Sequence, residues 1–296
     1  MKRRQFIKSA TLGSSILPGL FFSLDSCRTV NTPSKLKDNF WLWGQTAGSH
    51  HENNAFHLPG VNRMTPKEGC DYLGISKCLR VSMGSFGPIP PFDREAEKIK
   101  DLKEVVWSAI GADNRHHNDQ SDINEVLRMA TLYPHVTGAV LDDFFNEYPG
   151  KNSVDSIKAM ADKLHNFDKR RLDLWVVWYT HQLDINIDQF LGSMDVITLW
   201  TWNGFDLQEL DANVRKFIRK TPEKRRLLGV YMWNYGERIP LTVEQMKFQL
   251  DRCYYWMKEG SVEGLVFCSN CNADLDLEAV EYTRKWIAET GNERIS

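Results

Sequence analysis

Short apolar runs rich in Val, Ile, Leu and aromatic residues recur along the chain, each followed by a polar loop and a longer stretch with helical periodicity. The runs at 39–44, 77–82, 104–110, 136–142, 172–179, 195–200, 226–233 and 262–268 predict eight strands. The stretches between them carry helix-start signals. Thr65-Pro66-Lys67-Glu68 supplies a cap, a proline in the first turn and an early acid, and Thr242-Val243-Glu244-Gln245 reads as a capping box. After the sixth strand, Leu207, Leu210, Val214, Phe217 and Ile218 share one helical face, which leaves Asp211, Arg215 and Arg219 for solvent.

Repeated alternation of strand and helix implies parallel strands, because each crossover helix returns the chain to the same end of the sheet. Eight such units in about 250 residues suit one closed α/β domain, a single (β/α)8 or TIM barrel. An open doubly wound sheet is the competing architecture, but no G-x-G-x-x-G turn follows the first strand and no phosphate-cradling G-x-x-x-x-G-K-[ST] sequence occurs.

Residues 1–27 stand apart from this pattern. Lys2, Arg3, Arg4 and Lys8 make a basic start, and an apolar or small stretch from Ala10 to Leu24 follows, as in a targeting segment. Arg3-Arg4-Gln5-Phe6-Ile7-Lys8 resembles the twin-arginine export motif. Leu24-Asp25-Ser26-Cys27 resembles a bacterial lipobox, which implies acylation of Cys27 and membrane anchoring; a cleaved signal with an incidental thiol is the alternative. Either way the expectation is export, to the periplasm or the cell surface. Residues 28–37 read as a linker and 38–296 as the barrel domain.

Charge excludes one class of partner. Lys and Arg number 37 against 39 Asp and Glu, a net charge of -2 that offers no broad attraction to nucleic acid or an anionic membrane. Cys70, Cys78, Cys253, Cys268 and Cys271 are scattered, unlike a disulfide scaffold, and are expected as buried thiols. Cys268-Ser269-Asn270-Cys271 has C-x-x-C spacing without a second pair, so neither a metal nor a cofactor is expected. The departure from average composition is aromatic, with 10 Trp, 9 Tyr and 15 Phe, rings that can fill a core or line a wet groove.

In such barrels the site forms where strands end at their C-termini. The residues there are polar and aromatic: Gln45, His50 and His51; Arg80 and Ser82; Asp113, Arg115, His116 and His117; Asp142 and Asp143; Trp178, Tyr179 and His181; Trp200 and Trp202; Tyr231, Trp233 and Tyr235; and Asn270. The sharpest feature is Gly138-Ala139-Val140-Leu141-Asp142-Asp143, an apolar strand running into two adjacent carboxylates. Successive strand residues face opposite ways, so at most one of the pair points into the barrel unless the chain bends there. Two carboxylates near one bond can divide the work of acid and of nucleophile or base; capping a turn or pairing with Arg80 or Arg115 is the structural alternative. His50-His51 and His116-His117 lack the helical i, i+4 spacing of a zinc pair.

These features resemble the barrel glycoside hydrolases, in which acids at the strand ends face a sugar and Trp or Tyr rings stack on it. The resemblance implies Asp142, Asp143 and Glu237 as catalytic carboxylates. It implies Gln45, His50, Arg80, Trp178, Tyr179, His181, Trp200, Trp202, Tyr231, Trp233 and Asn270 as contacts to a carbohydrate substrate. Asn146-Glu147 and Glu237 lie several residues beyond the places where one large group of these enzymes carries its acids, and the chitinase-like D-x-D-x-E series is not matched. A carbohydrate-binding barrel without activity and a metal-dependent sugar isomerase or epimerase remain as alternatives.

Overall fold

The computed structural model describes residues 35–111, 121–147 and 153–294. The export and lipidation signals expected in residues 1–27, most of the linker, and Asp113, Arg115, His116 and His117 lie outside the described residues. The chain divides between Thr32 and Pro33, and the unit from Pro33 onward holds the barrel.

Eight strands close into one parallel barrel in chain order. They are β1 Phe40–Gly44, β2 Lys77–Arg80, β3 Glu104–Ile110, β4 Val136–Leu141, β5 Asp173–Tyr179, β6 Val196–Trp200, β7 Arg225–Tyr231 and β8 Gly264–Cys268. Each lies within about two residues of the stretch that apolar runs predict, and β8 pairs with β1 from Phe40–Leu265 to Trp43–Cys268 to close the ring. The helices are α1 Pro66–Leu73, α2 Asp93–Lys98, α3 Ser121–Leu132, α4 Val154–His165, α5 Asp188–Leu191, α6 Leu210–Lys220, α7 Val243–Lys258, α8 Asn270–Ala273 and α9 Glu278–Thr290. No described helix is long and apolar enough to cross a membrane.

Local chemistry accounts for the helix starts. The Thr65 hydroxyl accepts the Glu68 N–H, and the Glu68 carboxylate takes the Thr65 N–H at 2.8 Å. Thr242 and Gln245 exchange the same pair of bonds at 3.0 and 3.1 Å. In α6 Leu210, Val214 and Phe217 are buried, as the apolar stripe predicts. Asp211 departs from that pattern: its carboxylate accepts Arg252 Nε at 2.9 Å and Trp256 Nε1 at 2.8 Å on α7, so it ties two helices together.

Inward-facing side chains fill the barrel below the mouth. Trp41 packs edge-on against Trp175 at 4.9 Å, and Trp43 against Trp200 at 5.1 Å. Trp200 fits because β7 carries Gly229 beneath it; a Cβ there would stand 1.9 Å from the indole. The layer of aromatic rings is a floor on which a cavity can rest. The five cysteines of the described residues are all buried and free.

Candidate functional site

Above that floor a cavity of about 490 Å³ opens among the C-terminal ends of the strands. β1 and its loop contribute Trp43, Gln45, His50 and Phe56; Met83 follows β2; and Asp142, Asp143 and Asn146 follow β4. β5 contributes Val177, Tyr179 and then His181, β6 Trp200 and Trp202, β7 Tyr231 and Tyr235, and β8 Cys268. The volume suits a small-molecule or sugar-unit site rather than an extended protein interface.

Both acids of the β4 run reach the cavity. The chain bends at Asp143, whose φ of 50° places it in the left-handed region, where Asp is one of the few side chains tolerated. The bend cancels the alternation that would turn the second carboxylate into the helix layer. Asp142 is buried and its Oδ1 accepts the Asp143 N–H at 2.9 Å.

Asp143 Oδ1 accepts Asn146 Nδ2 at 2.8 Å and the Tyr179 hydroxyl at 3.1 Å. Gln182 sets this direction. Its Oε1 takes the Tyr179 N–H at 3.2 Å, and its Nε2 donates to Asn146 Oδ1 at 2.5 Å, which leaves Asn146 to present its amide nitrogen to Asp143. Burial, followed by the neighbouring Tyr231, Asp142 and Asp143, pushes the Tyr179 hydroxyl well above its ordinary range and keeps it a donor.

Across the barrel, burial and then His51 lower the His50 pKa to about 3, so the ring is a neutral imidazole. Its Nδ1 lies 2.8 Å from the Tyr235 hydroxyl and its Nε2 is hydrogen-bonded to Gln45. Trp202 stacks on Tyr235 at 5.4 Å, and His181 on Tyr179 at the same separation, so flat faces line two sides of the opening. Desolvation lowers the pKa of His181 as well.

Of the catalytic and contact residues that the resemblance implies, Gln45, His50, Asp142, Asp143, Tyr179, His181, Trp200, Trp202 and Tyr231 line this cavity, as does Tyr235 from the strand ends, and five others stand elsewhere. Trp178 points outward, between Val177 and Tyr179, and packs on Phe217 of α6 while its indole N–H reaches Gln182 O. Arg80 also belongs to the outer layer, where it pairs with Glu95 of α2 at 3.0 Å. Trp233 is buried and donates to Phe56 O at 3.1 Å. Asn270 clamps the Gln45 backbone, accepting its N–H at 2.8 Å and donating to its carbonyl at 2.9 Å. Glu237 is exposed, and its carboxylate accepts Asn203 Nδ2 at 2.8 Å instead of facing the two acids.

Sequence reasoning misses Trp43, Phe56, Met83, Val177 and Cys268 as lining residues. Trp43 is within reach of a period-two reading of β1, whereas Phe56 and Met83 arrive on loops whose path no pattern encodes. Among the described residues no group of three or more His, Cys, Asp or Glu is placed to hold a metal ion.

The fold is a single (β/α)8 barrel, and solved structures that share it include glycoside hydrolases. The chain is similar to the catalytic domain of a hyperthermophilic chitinase from Pyrococcus furiosus, with a TM-score of 0.57 and 12% identity over 88% of this chain and 99% of that one. It is also similar to an endo-beta-N-acetylglucosaminidase mutant from Cordyceps militaris, with a TM-score of 0.50 and 13% identity over 86% and 90%. A third likeness is to a GH5_18 protein from Bifidobacterium longum subsp. infantis, with a TM-score of 0.52 and 11% identity over 87% and 80%. No family model matches the sequence, and no curated protein matches it.

Proposed function

We propose that the protein hydrolyses glycosidic bonds of an oligosaccharide or polysaccharide at this cavity, with Asp142 and Asp143 as the reacting carboxyl groups. The observation that carries the reading is the left-handed turn at Asp143, which brings two adjacent carboxylates into one aromatic-walled cavity. Trp202 and His181 supply flat faces for the apolar side of a pyranose ring, and the tyrosine hydroxyls supply hydrogen bonds to its rim. One carboxyl group protonates the glycosidic oxygen as the bond to the leaving sugar breaks. The other stays ionised against the positive charge that develops on the ring, and water completes the hydrolysis. The shared fold of the chitinase and endo-beta-N-acetylglucosaminidase structures supports this reading.

The test is a reducing-sugar screen over a glycan panel, comparing wild type with Asp142→Asn and Asp143→Asn. Loss of cleavage in either variant assigns that residue. The proton donor is then the one whose variant still turns over a 4-nitrophenyl glycoside, whose leaving group needs little protonation. Undiminished cleavage in both variants removes the pair from the mechanism.

One observation favours a second reading, a carbohydrate-binding barrel without turnover. The β7 end offers Tyr231 and Tyr235 rather than a carboxylate, because Glu237 is held by Asn203. Calorimetry separates the two: stoichiometric heat with no product identifies a binding module. We further propose that the protein is exported and anchored through acylated Cys27. Membrane fractionation in which wild type is retained and Cys27→Ser is released supports the anchor, and a soluble wild type contradicts it.

A further inference from the structure

A second hydrogen-bond chain crosses the cavity wall formed by β1, β7 and β8, and its direction can be read from one end to the other. It begins at the backbone. The Ser269 N–H donates to Asn272 Oδ1 at 3.1 Å, so Asn272 presents its amide nitrogen to the Tyr235 hydroxyl, 3.1 Å away. With its oxygen accepting from Asn272, Tyr235 sends its proton to His50 Nδ1 at 2.8 Å. The opposite order, Nδ1–H into the phenol, leaves the phenolic proton only the Cys268 sulfur at 3.9 Å, a poor acceptor. His50 therefore carries its hydrogen on Nε2 and donates it to Gln45 Oε1. At the end stands Gln45 Nε2, a buried amide donor on the cavity wall whose partner within the protein is the weakly accepting Met83 sulfur at 3.2 Å.

The chain is built for one setting. The Gln45 backbone is clamped on both its N–H and its carbonyl by Asn270, so the side chain starts from a fixed root. Burial keeps the Tyr235 hydroxyl protonated and the His50 ring neutral, so no member carries charge.

We infer that Gln45 Nε2 is a fixed donor to an acceptor oxygen of an uncharged sugar, and that Asn272, Tyr235 and His50 are positioning residues which impose that direction. The inference rests on the carbohydrate reading and adds a requirement to it. The sugar unit seated between Gln45 and the two aspartates must turn a hydroxyl or acetamido oxygen toward β1. A buried amide donor left with only a thioether as acceptor costs free energy, so a ligand without that oxygen is rejected more strongly than one that offers it.

Two measurements test this. The first needs no ligand: long-range 1H–15N spectra of protein labelled in its histidine rings. His50 is expected as the neutral Nε2–H tautomer at pH 6, and Tyr235→Phe, which removes the hydroxyl that donates to Nδ1, is expected to shift the ring toward a mixture of tautomers. An Nδ1–H tautomer or an imidazolium in wild type overturns the direction of the chain.

The second is calorimetry with cellohexaose, xylohexaose, mannohexaose and chitohexaose. Gln45→Met and Gln45→Glu both remove the amide donor and roughly keep the volume, so each is expected to weaken binding of the oligosaccharide that wild type retains by about tenfold or more; Gln45→Met also strips the acceptor from His50 Nε2–H and lowers the melting temperature, whereas Gln45→Glu keeps an acceptor there. Tyr235→Phe is expected to weaken it less, in the same direction. Equal affinity in wild type and both Gln45 variants overturns the donor role. Failure of wild type to bind any of the four overturns the carbohydrate reading instead, and the tautomer spectrum keeps the two failures apart.

Discussion

The two ends of the barrel place their carboxylates in different surroundings. At the N-terminal end, where the strands begin, carboxylates are tied to cations or backbone N–H groups. Lys77 meets Glu104 at 2.5 Å, and Arg225 bridges Asp173 at 2.7 Å and Glu263 at 2.9 Å. Asp195 takes the Leu174 N–H at 2.7 Å and His165 Nε2 at 2.8 Å, and also pairs with Arg171. At the C-terminal end Asp142 and Asp143 face a cavity lined among the described residues by aromatic rings, neutral amides and histidines, with no lysine or arginine. The contrast is one of placement: paired charges where the strands begin hold the ring, and the two carboxylates of the β4 end line the cavity.

That division predicts opposite outcomes for mutations at the two ends. The largest effect expected is at the mouth. Asp142→Asn or Asp143→Asn should lower kcat/KM on a cleaved glycan by about 10²–10⁴-fold with little change in melting temperature. Gly229→Ala probes the boundary between the ends, because its methyl collides with Trp200. It should cost about 3 kcal/mol in urea unfolding and also deform the cavity floor. At the other end, Asp195→Ala strips partners from the Leu174 N–H, His165 and Arg171. It should cost about 1–3 kcal/mol and leave turnover per folded molecule unchanged. Tyr179→Phe removes a donor to Asp143 Oδ1 and should lower kcat about tenfold while sparing stability.

His50 gives the comparison a pH dependence. Its folded pKa of about 3 lies below the ordinary value of 6.5, so between these limits the unfolded chain binds a proton that the native ring refuses. Stability from this group is therefore complete above pH 6.5 and is lost as pH falls toward 3, with a slope of up to about 1.4 kcal/mol per pH unit. Chemical unfolding of wild type and His50→Gln across that range should show a steeper fall toward low pH in wild type, by up to about 1.4 kcal/mol per pH unit.

Most of the barrel is legible in the amino-acid sequence because each strand and helix carries its own period, and periodicity survives without knowledge of partners. The site is legible only in part. Tyr179 and Trp200 follow from the rule that active residues end the strands, but the same rule selects Trp178, and strict alternation after Val177 already assigns that ring to the helix layer. Arg80 fails for the same reason. Glu237 is selected as the acid that follows the seventh strand, and the Asn203 side chain that captures it comes from another loop. The bend at Asp143 has no signature beyond the tolerance of Asp for positive φ, yet it is what places the second carboxylate in the cavity. Loop contacts and single backbone angles are tertiary facts, which local pattern does not carry.

The most direct measurement of the central claim is the crystal structure of Asp143→Asn soaked with an oligosaccharide that wild type cleaves. A sugar ring lying against Trp202, with the scissile oxygen within hydrogen-bond reach of Asp142 or residue 143, is the predicted result. Sugar density elsewhere on the surface, with the cavity beside Asp142 left to solvent, contradicts it.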